Sequence, residues 1–180
     1  MLAVLYNMQA QAVADRFGIP LGDAERQRQA FLDCYPSIKS AMVSIVEDGR
    51  ARGYAAIIGG LRRRISAGPK AVNQLINTPI QAGAGVVFRE AVVRLYQHFK
   101  GSTTKLILPV HDAVLFECDI DNLGPVGREA SEIMKDTVRK YYPVLSPRVD
   151  INDAASHCWN KDGHSDSLDR FLADPLYKLL

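Results

Sequence analysis

The chain has 180 residues, 47% of them apolar and 23% charged, which predicts a globular protein of one domain or two small ones rather than a disordered chain. Its three cysteines, Cys34, Cys118 and Cys158, are widely spaced and odd in number, so they read as free thiols in a reducing compartment, not as a disulfide framework. No run of about 18 apolar residues marks a membrane span and the start has no signal-peptide pattern, so the expected location is cytoplasmic.

Charge is uneven along the chain. Residues 1–110 carry 14 Lys and Arg against 7 Asp and Glu, whereas residues 111–180 carry 8 against 13. A basic part facing a polyanion would produce this asymmetry, and so would an ordinary solvated surface. The positions of the charges have to decide.

Val4, Leu5, Met8, Val13 and Phe17 fall at helical spacing, predicting a first helix over 4–17 that ends at Gly18 and Pro20. A second is expected from Asp23, a good N-cap residue, to Tyr35 before Pro36. A third should run over 37–52 and break at Gly53. Residues 54–58 look extended, and the glycine pair Gly59 and Gly60 forces a turn into Arg62, Arg63 and Arg64.

A long helix is predicted from Val72, Ile76, Ile80, Ala84, Val87, Ala91, Leu95 and Phe99. Asn73, Asn77 and Gln81 form a polar stripe on another face, and Gly83 with Gly85 removes side-chain bulk where another backbone could approach. Pro79 costs a helix interior about 3 kcal/mol, so the helix either kinks there or begins its regular part there. Residues 106–117, LILPVHDAVLFE, read as two short β-strands with His111 and Asp112 at the join. A further helix should open near Pro125 and stop at Pro143. Alternation at Val149 and Ile151 predicts a strand over 148–152 beside the hairpin.

Three features carry chemistry only in combination. An arginine triplet is commonly a wet surface, exposed amides are commonly just solvated, and a His-Asp pair can merely fix a turn. Together they suit one task. Guanidinium groups hold phosphates, and amides donate to purine N3 and pyrimidine O2 in the minor groove, acceptors present in every base pair. A carboxylate on an open turn is a suitable ligand for a hard cation such as Mg²⁺.

These segments resemble the C-terminal part of family A DNA polymerases. VLYNM at 4–8 is similar to the family's VLYGM, and GYAAIIGGLRRR at 53–64 to its GY segment with an arginine run. NTPIQ at 77–81 resembles NMPIQ, and LPVHDAVLFE resembles the palm segment QVHDELVLE. With Tyr142, Pro143 and Trp159 following in order, the resemblance covers residues 2–160. It implies an α+β fold: a mostly helical fingers remnant over 1–65, then a palm over 66–160 with a small antiparallel sheet flanked by helices. A tail over 161–180 has no counterpart.

By the same resemblance, Asp112 matches the palm aspartate that binds catalytic Mg²⁺, and His111 matches a histidine near the primer terminus. The activity implied is DNA-directed DNA polymerisation, with two cations serving nucleotidyl transfer. Asn77 and Gln81 match minor-groove amides, while Arg62, Arg63 and Arg64 match the run on the duplex backbone. Tyr6 matches a tyrosine stacking against the template at the insertion site, and Leu2 falls where many members have a phenylalanine or tyrosine beside the nucleotide sugar. The implied partners are primer-template DNA and deoxynucleoside triphosphates.

Departures from the pattern are equally specific. Asn7 stands where the family has glycine, and Ala113 where a glutamate commonly follows the aspartate. The fingers lysine and arginine and the second metal-binding aspartate are expected upstream of Met1, leaving one carboxylate where two cations need more. The expectation is a polymerase fragment inactive when isolated, which self-associates through an exposed sheet edge or joins a chain carrying the polymerase N-terminal part. Two alternatives stand: a non-catalytic DNA-binding or assembly module, and an HD-type metal-dependent phosphohydrolase. The latter needs further His and Asp ligands, and His98, His157 and His164 show no matching spacing; nor do His157, Cys158 and His164 match a standard zinc pair.

Overall fold

The structure is a computed structural model that describes Val4 and residues 6–151. Leu2, Cys158, Trp159, the histidines at 157 and 164, and the C-terminal tail lie outside the described residues. Two compact units, Met1–Val86 and Val87–Leu180, divide within one long helix. The described part is mostly helical with two small antiparallel sheets, the α+β class expected.

In the first unit, α1 (Ala10–Phe17) is shorter than the helix predicted over 4–17. The cause is Asn7, whose φ of 57° is left-handed and cannot continue a right-handed helix. Gly18 ends α1 in the left-handed conformation, and its N–H bonds to the Ala14 carbonyl. Helix α2 (Leu21–Cys34) starts two residues before Asp23, which lies in its first turn instead of capping it. Val13, Ala14 and Ala24 form a small core under Met8, Ala10 and Ile19.

Pro36 occupies the first turn of α3 (Pro36–Arg52), where its missing N–H costs nothing. Strands β1 (Tyr54–Ala56) and β2 (Arg62–Arg64) then pair antiparallel, Ala55 opposite Arg63. The Gly59 φ of 78° and Gly60 φ of 81° make the turn between them. Sequence pattern alone did not mark β2 as a strand.

Helix α4 (Ala71–Phe99) is continuous with Pro79 inside it, which excludes a start at Pro79. The proline withholds the donor that the Leu75 carbonyl would otherwise receive. Leu75 itself is buried against Gly49 of α3, where a Cβ would run into the Leu75 side chain. Gly85 has no neighbour within 4 Å of a Cβ position among the described residues, so none of them makes the close approach expected there.

In the second unit, β3 (Lys105–Val110) and β4 (Ala113–Glu117) form the predicted hairpin. A register shift between Leu106 and Leu108 leaves Ile107 as an extra residue, so Ile107 and Leu108 are both exposed. Helix α5 (Leu123–Tyr141) follows. Leu95 and Phe99 of α4 pack with Val126 and Ala130 of α5, and Leu106, Val114 and Phe116 of the hairpin cover them. Residues 148–151 form no strand, contrary to expectation. Alternating Val149 and Ile151 permits an extended backbone, but a strand also needs a ladder partner. Among the described residues the hairpin remains two-stranded.

Candidate nucleic-acid interface

His111 and Asp112 are the two turn residues between β3 and β4, and both are exposed. A two-residue hairpin loop favours positive φ at its first position, and His111 supplies it at 56°. The hairpin core thus carries the apolar load while its tip holds one carboxylate toward solvent. Oxygen chemistry fits Mg²⁺, but ligand number does not: among the described residues no three His, Cys, Asp or Glu side chains converge. A two-metal centre at Asp112 requires carboxylates from outside the described residues. His98, the other described histidine, pairs with Glu129 at 2.8 Å.

The arginine strand has a defined presentation. Arg62, Arg63 and Arg64 are all exposed on β2. The Arg62 guanidinium lies 4.9 Å from the Tyr54 ring centroid, a cation–π contact that steadies it while leaving its donors available. Arg63 donates from Nη1 to the buried Thr78 hydroxyl at 3.1 Å, tying β2 to α4. Thr78 is a support that pattern reading missed, since a threonine inside a helix carries no signal of a distant donor.

Asn73, Asn77 and Gln81 follow at four-residue intervals along α4. Gln81 is exposed and Asn77 half-buried; the Asn77 Oδ1 is buried with no hydrogen-bond partner among the described residues. Asn73 is engaged internally, accepting from Asn7 Nδ2 at 2.7 Å. Tyr6, half-buried, occupies the turn just before Asn7. Leu2 lies outside the described residues. Of the sequence-derived candidates, the first unit thus brings Arg63 and the 77–81 segment together through Thr78, and the second presents His111 and Asp112 on one turn.

Residues 1–160 match the family model described as DNA polymerase family A, and the chain belongs to that family. Among curated relatives it is 26% identical over 152 residues to the thermostable DNA polymerase I of Thermus aquaticus, covering 80% of this chain and 18% of that protein. It is 27% identical over 150 residues to DNA polymerase I of Deinococcus radiodurans, covering 78% and 16%. The chain therefore spans less than a fifth of the length of these relatives. In fold it is similar to the POL domain of Pol1 from M. smegmatis, solved with DNA primer-template and dNTP, with a TM-score of 0.70 at 24% identity. That likeness covers 76% of this chain and 26% of the other. Among the described residues no helix is long and apolar enough to cross a membrane.

Proposed function

We propose that this chain holds primer-template DNA and supplies the primer-side carboxylate of a template-directed nucleotidyl-transfer centre. The observation that carries this reading is the exposed His111–Asp112 hairpin turn within a chain matched to the polymerase family over residues 1–160. Arg62, Arg63 and Arg64 would bind the phosphate backbone, with Arg63 braced on Thr78. Asn77 and Gln81 would reach minor-groove acceptors common to all base pairs, so binding would be indifferent to sequence. Tyr6 would offer an aromatic face to the template, and Leu2 an apolar contact beside the incoming nucleotide sugar.

Asp112 would give one oxygen ligand to a divalent cation, whose role when bound is to stabilise charge on the reacting phosphate. His111 would sit at the primer end. Since among the described residues Asp112 has no further ligands gathered beside it, and one carboxylate cannot organise two cations, the chain alone should bind duplex without extending it. The non-catalytic alternative differs in one respect: it needs no divalent cation at Asp112.

Fluorescence anisotropy with a labelled primer-template, run beside a primer-extension assay with Mg²⁺ and all four deoxynucleoside triphosphates, tests this. Expected is binding that weakens steeply with salt, similar for unrelated sequences, and no extension. Absence of binding even at low salt would overturn the proposal. Extension lost in Asp112→Ala would show instead that the chain gathers enough ligands by itself.

A further inference from the structure

We propose that Asn7 is a positioning residue that locks the Tyr6 turn in place through a directed hydrogen-bond relay to two helices. The turn would otherwise be easily deformed: Asn7 adopts a φ of 57°, a conformation that glycine takes freely and most residues resist. Its side chain is nonetheless buried, at 5% exposure, and hydrogen-bonded through both its oxygen and its nitrogen. Arg28 of α2 donates from Nη2 to Asn7 Oδ1 at 3.0 Å and from Nε to the Met8 carbonyl at 3.2 Å. Asn7 Nδ2 donates to Asn73 Oδ1 of α4 at 2.7 Å, and Gln9 Nε2 donates to the Asn7 carbonyl at 3.0 Å.

The chemistry fixes the direction of this relay. A guanidinium can only donate, so the Asn7 oxygen must face Arg28 and its amide nitrogen must face Asn73, which then has to accept. Each group has one role, and reversing any amide breaks a bond. The backbone at residues 7–8 is thereby clamped from α2 and α4 at once, and with it the direction of the Tyr6 side chain one residue earlier. Glycine here would keep the backbone conformation and lose both bonds of the Asn7 side chain, leaving only the Arg28 bond to the Met8 carbonyl and the Gln9 bond to the residue-7 carbonyl. The inference rests on reading Tyr6 as the template-contacting residue, and it makes Asn7 responsible for presenting that ring in a single orientation.

Asn7→Gly isolates the effect, because it removes the side chain without backbone strain. Asn7→Asp should rescue: a carboxylate still accepts from Arg28, and Asn73 can turn its amide to donate. In the 180-residue chain labelled with 3-fluorotyrosine, Asn7→Gly should broaden or shift the Tyr6 fluorine resonance. It should also speed exchange of the position-7 backbone amide, which bonds the Val4 carbonyl at 2.9 Å, by on the order of tenfold. Duplex affinity should fall in the same variant, and Asn7→Asp should restore all three. Asn73→Ala, which leaves the turn residues untouched, should reproduce part of the loss. Unchanged exchange and fluorine signal in both Asn7→Gly and Asn73→Ala would overturn the proposal. If the parent protein binds no duplex, the reading of Tyr6 fails, while exchange and fluorine signals still decide whether Asn7 holds the turn.

Discussion

Leu95 belongs to the buried core against which the hairpin packs. It is 0% exposed at the centre of the cluster that joins α4 and α5 under Leu106, Val114 and Phe116. Leu95→Ala removes three buried carbons, worth roughly 0.8 kcal/mol each in transfer, or about 2.4 kcal/mol. Surrounding helices close only part of the void, which raises the expected loss to about 3–4 kcal/mol. With a urea slope of about 2 kcal/mol/M, the midpoint should fall by roughly 1.5–2 M. Val93→Ala provides the control, since that side chain is 52% exposed on the same helix and its loss should shift stability by no more than about 0.5 kcal/mol. Urea titrations of the two variants, followed by circular dichroism, give the comparison. Equal midpoints, or a Leu95→Ala cost below about 1 kcal/mol, would refute this core and the support it gives the Asp112 turn.

Other outcomes follow from the same packing and charge. Gly49→Ala should gain up to about 1 kcal/mol of helix propensity but lose about 1–3 kcal/mol by collision with buried Leu75, so a thermal melt should show net destabilisation. Thr137 is buried, accepts from Arg94 at 2.8 Å and donates to the Ile133 carbonyl at 2.7 Å, so Thr137→Val should cost about 1–2 kcal/mol in the same assay. Glu90 is held below its ordinary pKa of 4.5 chiefly by its hydrogen bond from Lys140, then by that from Tyr141. A lowered carboxylate stabilises the fold above its unfolded pKa and loses that contribution as pH falls, so the advantage of Glu90 over Glu90→Gln should vanish well below pH 4.5. Replacing Arg62, Arg63 or Arg64 singly by Ala should lower the salt slope of duplex binding by about one unit each, measured by anisotropy at several salt concentrations.

The hairpin and the long helix were legible in the sequence because each depends on a local period. Val110, Val114 and Phe116 carry β propensity around a polar join, and the spacing from Val72 to Phe99 is helical throughout. Strand β2 was not legible, since three arginines have no strong strand preference and pair only because Gly59 and Gly60 return them alongside β1. Over the described residues 148–151 the expected strand is missing for the converse reason: alternation is present, but among the described residues no strand pairs with it. At the candidate interface, residue types pointed to phosphate and minor-groove contacts. The bonds from Arg63 to Thr78 and from Arg28 to Asn7 were invisible, because both join residues distant in sequence through side chains with no pattern of their own.

Asp112 and the arginine strand belong to separate compact units, and the proposed function needs both to meet DNA. Amide hydrogen exchange with and without a primer-template duplex, read residue by residue, tests that most directly. Protection should appear at Tyr6, at residues 62–64, along the face bearing Asn77 and Gln81, and at the His111–Asp112 turn. A duplex that protects other surfaces and leaves the hairpin turn unchanged would contradict the account.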